Sequence, residues 1–124
     1  MNNLNWEEKK EPSANDRDHN KRWMDTDGIQ VNELAEHDML SITTVNNTYE
    51  IAVIHPETAQ VMVRGGHYFP SDKLAFVSGS SLNSSIKVHG IYAGYAMELS
   101  VDGRRIKTSV VRNIRMLRTS ELAA

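Results

Sequence analysis

At 124 residues, 40% apolar and 24% charged, the chain suits one domain with one core and is too short for two that each bury much surface. No window approaches the roughly 20 apolar residues of a membrane span, and the absence of cysteine excludes disulfides, thiolate metal sites and cysteine nucleophiles. The net charge of −2 is unevenly spread: residues 1–38 hold ten acids and five bases, residues 39–124 six acids and nine bases.

Residues 1–28 are rich in Asn, Asp, Glu and Lys. Beyond Met1, their apolar members, Leu4, Trp6, Ala14, Trp23 and Met24, follow no helical or alternating period, which predicts a disordered acidic leader. The first residues lack the apolar core of a secretory signal and are too acidic for a transit peptide, so the expected compartment is the cytoplasm, without membrane association. Both tryptophans lie in this leader; Trp23-Met24 is either an incidental pair or a dock on the folded part. Residues 29–118 are the expected domain and 119–124 a tail.

A short helical turn is expected at Val31–Glu36, before a turn at His37-Asp38. From Met39 the pattern alternates: Leu40, Ile42 and Thr44 run up to Asn46-Asn47, and Tyr49 to Ile54 runs back, a hairpin signature. Pro56 to Ala59 reads as a turn leading into a strand at Gln60–Arg64, which ends at Gly65-Gly66. Short strands follow at Lys73–Ser78 and Ser85–His89. Ile91, Ala93, Tyr95, Met97 and Leu99 form the cleanest alternation in the chain. Asp102-Gly103 predicts a tight hairpin into Arg104–Val111. Beyond it, Val110, Ile114 and Leu117 have helical spacing, whereas Ile114 and Met116 continue strand parity past Arg112; the adopted reading is a strand with a bulge. Six to seven short antiparallel strands at such spacings predict an all-β single domain, a small barrel.

The candidate chemistry is sparse. Glu36-His37-Asp38 sets three metal donors side by side, but neighbours on a strand point to opposite faces and no second His stands two or four residues away, so no metal site is expected. The serine-rich run Ser78 to Ser85 lacks the second glycine of a nucleophile elbow. Arg64-Gly65-Gly66 fits neither a Walker loop nor a dinucleotide fingerprint. No catalytic residue and no cofactor is assigned, and the expectation is a non-enzymatic binding module.

Recognition is expected at the Gly65–Pro70 and Gly79–Ser85 loops, forming one rim, with Arg64, His67, Tyr68 and Phe69 as the contact group and a protein or peptide as partner. Tyr68 and Phe69 could instead close the open end of the barrel. Two alternatives stand beside this. One is nucleic-acid binding through the basic segment 104–118, namely Arg104, Arg105, Lys107, Arg112 and Arg115. The other is a self-associating structural protein, a homo-oligomer built on exposed strand edges.

Four motifs, Gly65-Gly66-His67-Tyr68-Phe69-Pro70, Gly79-Ser80-Ser81, Ile91-Tyr92-Ala93-Gly94 and Ile106-Lys107-Thr108-Ser109-Val110-Val111, give residues 39–117 a resemblance to small bacterial β-barrel proteins of unknown function. Such barrels often enter their first strand through Gly-Asp, where this chain has His37-Asp38. The resemblance implies an SH3-like or related barrel and carries no activity.

Overall fold

A computed structural model describes residues 23–82 and 85–118. Most of the expected leader, including Trp6, and the tail at 119–124 lie outside the described residues. The fold is all-β. Its strands are β1 (Met24–Thr26), β2 (Gly28–Gln30), β3 (Met39–Thr44), β4 (Thr48–His55), β5 (Gln60–Gly65), β6 (Phe69–Leu82), β7 (Ser85–Val88), β8 (Gly90–Tyr92), β9 (Ala96–Val101) and β10 (Arg104–Leu117). Single 3-10 turns occupy Val31–Glu33 and Pro56–Thr58. No helix among the described residues is long and apolar enough to cross a membrane.

Alternation sets the register of the meander β3-β4-β5. Leu40 pairs with Ile51 and Ile51 with Val63, while Ile42 pairs with Tyr49 and Val53 with Val61. Every one of these side chains is buried, so a slip by one residue would turn the whole set to solvent. Asp102 (φ 51°) and Gly103 (φ 78°) make the two-residue turn between β9 and β10, as the Asp-Gly pair predicts.

The pairings close a ring: β10 joins β3, the meander leads to β6, and β9 bridges β6 back to β10. Two 14-residue strands make closure possible. β6 pairs with β5 through Phe69–Phe76 and with β9 through Phe76–Ser81; β10 pairs with β9 through Arg104–Val110 and with β3 through Val111–Leu117. Register shifts lie at the changeovers, between Val77 and Gly79 in β6 and at 107–110 and 111–113 in β10. Such bulges bend a strand and increase its twist. The core they enclose centres on Tyr49, Phe69, Ile51, Val63, Met97, Leu99 and Ile114.

Several elements differ from the sequence reading. The described residues form ten strands where six to seven were expected, because three-residue strands such as β1, β2 and β8 are too short to show an alternation. Residues 24–28, placed in the leader, form β1 and the start of β2. Met24 pairs with Met116 and packs against the core, and the Arg115 guanidinium lies 5.6 Å from the centre of the Trp23 ring. The run Ile91 to Leu99 is two strands with different partners, β8 on β2 and β9 on β6 and β10. Gly94 (φ 96°) turns between them, and main-chain bonds from Ala93 to Asp27 and from Gly94 to Val111 hold the turn. The final segment is strand to Leu117, with a register shift at Arg112.

Candidate ligand-binding cleft

Three chain segments meet at one end of the ring: the Asn46-Asn47 turn, the turn from Gly65 to Tyr68, and Lys107 to Ser109 at the bulge of β10. Glycine makes the second turn feasible. Gly65 (φ 132°) lies so close to the preceding hairpin that a Cβ there would stand 2.2 Å from the Thr48 carbonyl oxygen, and at Gly66 (φ 63°) it would stand 3.0 Å from the Tyr49 ring. The paired glycines therefore bring the chain down onto Thr48 and Tyr49 and project the next two side chains outward.

A polar network fixes the other two segments. The Ser109 hydroxyl donates to Thr44 Oγ1 at 2.8 Å and accepts from the Asn46 amide at 3.2 Å, and Thr44 Oγ1 donates to the Asn47 carbonyl at 3.0 Å. The Val45 amide donates to the Val110 carbonyl at 3.0 Å. Thr108 Oγ1, turned inward, accepts from the Met97 amide at 3.1 Å.

Between these segments lies a cleft of about 550 Å³ lined by Asn46, Asn47, Tyr49, His67, Tyr68, Lys107, Thr108 and Ser109. A second, of about 180 Å³, is lined by Tyr68, Phe69, Lys73, Val101, Asp102, Arg104 and Ile106. Tyr68 belongs to both clefts and is 59% exposed. Its neighbour Phe69 is 2% exposed and meets the buried Tyr49 ring edge-on at 6.2 Å between centroids. Burial pushes the Tyr49 phenol above its usual pKa, a hydrogen bond from Asn47 acts against this, and Tyr68 adds to it.

The four residues expected as one contact group therefore separate. His67 and Tyr68 line the large cleft and Phe69 is core. Arg64 stands on the outer face of β5, its guanidinium 3.0 Å from Glu50 and 3.7 Å from Asp72. The hydrogen bond to Glu50, followed by the charge of Asp72, raises its pKa. The expected single rim is also replaced: β6 runs from Phe69 to Leu82, so the Gly65–Pro70 turn and Gly79–Leu82 stand at opposite ends of one strand, while residues 83 and 84 of the second expected loop lie outside the described residues.

The basic segment disperses in the same way. Lys107 lines the large cleft and Arg104 the small one. Arg105 lies 3.6 Å from Glu98, and Arg115 lies 3.6 Å from Asp25. Arg112 is exposed at the second bulge. Alternation and two register shifts send these side chains to different faces. Sequence reasoning missed Asn46, Asn47, Thr108 and Ser109 as cleft residues: Asn46-Asn47 was read for its backbone, although the same turn presents two carboxamides.

Among the described residues no three His, Asp or Glu side chains converge as a metal group. The Asp38 carboxylate instead accepts from the Ala35 amide at 2.9 Å and holds its own turn. Another cleft, of about 300 Å³, contains Gln30, Glu33, Tyr92 and Arg118. Its central groups satisfy one another: the Tyr92 hydroxyl donates to Gln30 Oε1 at 2.9 Å, and Gln30 Nε2 donates to the Val88 carbonyl at 3.1 Å.

The chain matches no family model, no curated protein and no solved structure.

Proposed function

We propose that this protein is a non-enzymatic binding module on a small SH3-like barrel, which takes an extended, negatively charged ligand at the end where Asn46-Asn47, His67-Tyr68 and Lys107–Ser109 meet. The observation that carries this reading is the exposed Tyr68 ring, raised between two clefts and anchored next to a buried Phe69. A large aromatic exposed on a rigid support suits recognition. Placement of ligand residues on turns above a closed ring of strands matches how small barrels bind.

The test is amide chemical-shift mapping with three anionic probes: an oligoglutamate decamer, an oligothymidylate decamer and a heparin octasaccharide. The reading expects at least one probe to move resonances of residues 46–49, 66–69 and 104–109. Perturbations confined to other faces, or none with any probe, would overturn it.

A second reading, self-association, draws on the outer face. Met39, Ala52, Met62 and Leu74 are successive cross-strand partners over β3 to β6, and Met39, Leu74 and the nearby Phe76 are 38%, 46% and 42% exposed. An apolar row across four strands is a surface a second copy can cover. Light scattering over a range of concentrations tests it: growth in mass that Leu74→Lys abolishes supports the reading, and a persistent monomer removes it.

A further inference from the structure

Resting on the binding-module reading, we infer that the ligand of the Tyr68 end is single-stranded nucleic acid, with a base stacked on the Tyr68 ring and flanking phosphates held by Lys107 on one side and Arg104 on the other. Single-strand binding needs an aromatic platform on which any base can lie and cations that follow the backbone past it. Both are present here, with Glu98 the cross-strand partner of Lys107. Among the described residues no ion pair involves Lys107 or Arg104. The one carboxylate among the described residues lining either cleft, Asp102, is engaged by Lys73 Nζ at 2.9 Å, so its charge is answered before a phosphate arrives. Lys107 and Arg104 stand three residues apart on β10 with no register shift between them, so they leave opposite faces of the strand, and Tyr68 lines the cleft of each.

The character of the large cleft points the same way. Asn46 and Asn47 bring carboxamides that can donate and accept, and His67 brings an imidazole, all beside Tyr68. Such groups match the hydrogen-bonding edge of an unstacked base. Acidic peptides would use the cations but gain little from an exposed ring placed between them. A duplex would present no open base face to Tyr68.

The experiment is fluorescence anisotropy of a labelled oligothymidylate decamer against the full chain at low and rising salt, with an oligoglutamate decamer as competitor. Saturable binding is expected, weakening with salt by about 0.7 in the logarithmic slope per phosphate contacted. Tyr68→Ala should weaken it roughly 5- to 150-fold, the loss of one stacked base. Lys107→Ala and Arg104→Ala should each weaken it and flatten the salt slope, whereas Arg112→Ala should leave it unchanged. Thermal melts of each variant keep a folding defect from passing as a binding defect.

No binding of oligothymidylate at low salt overturns the inference, as does binding that Tyr68→Ala leaves intact. If oligoglutamate binds in a Tyr68-dependent way and oligothymidylate does not, the nucleic-acid assignment falls while the cleft reading stands. If neither decamer binds and the shift mapping finds no ligand at this end, both fall.

Discussion

Tyr68 and Phe69 are adjacent aromatics with opposite roles, and replacing each by alanine separates those roles sharply. Phe69 is 2% exposed and packs edge-on to Tyr49. Phe69→Ala empties a site in a close-packed core, and truncations of this kind cost about 3–5 kcal/mol, lost transfer energy and cavity together. Against a typical domain stability of about 5–15 kcal/mol, that is a large fraction. Tyr68 is 59% exposed with its ring 6.3 Å from that of Phe69, so Tyr68→Ala should cost only about 0.5–1.5 kcal/mol, the worth of one aromatic pair. Urea unfolding followed by far-ultraviolet circular dichroism measures both. Phe69→Leu keeps most of the site filled and supplies a folded comparison if Phe69→Ala fails to fold. Equal losses at the two positions, or a larger loss at Tyr68, would refute the division into core and ligand-facing ring.

Other expectations follow from the same packing. Gly65→Ala should cost at least about 2 kcal/mol, since it combines φ 132° with a Cβ 2.2 Å from the Thr48 carbonyl oxygen; Gly103→Ala, at φ 78° with open space around it, should cost only about 1–2 kcal/mol, and the reverse order in chemical unfolding would contradict the turn geometry. Burial raises the Tyr49 pKa, so its neutral form favours the fold: that stability is complete below the unfolded value of about 10 and is lost as pH climbs through the higher folded value. Absorbance titration should therefore show one of the four tyrosines ionising late, a step that Tyr49→Phe removes; a single shared transition would refute it. Ser80, fully buried, donates to the Gly90 carbonyl at 3.1 Å and accepts from the Tyr92 amide at 2.9 Å, so Ser80→Ala should cost about 1–3 kcal/mol and speed amide exchange at Tyr92, and an unchanged exchange rate would show that the hydroxyl does not tie β8 to β6.

Much of the meander was legible because burial on one face imposes a period of two: Leu40, Ile42, Tyr49, Ile51, Val61 and Val63 all announce it. The Asp102-Gly103 turn was legible because few residue pairs tolerate two positive φ values in succession. The routes of β6 and β10 were not, since a register shift leaves no compositional mark and reverses which residues face inward. Six bases within 104–118 look like one patch in the sequence, yet alternation and two shifts scatter them. The turn at Gly94 was hidden because the apolar alternation of Ile91 to Leu99 continues across it by coincidence. At the candidate site, the sequence put Arg64, His67, Tyr68 and Phe69 in one contact group, of which His67 and Tyr68 line the large cleft. It could not separate Tyr68 from Phe69, because the turn ends and β6 begins between them, and the register shift between Val63 and Gly65 leaves no mark in the composition.

Photocrosslinking tests the central claim most directly. A single-stranded decamer carrying 5-iodouridine, irradiated with the full chain and mapped by mass spectrometry, should attach at Tyr68, within the segment that also carries His67. An adduct at Tyr92, at Tyr95 or on β7 with Tyr68 unmodified would contradict the account.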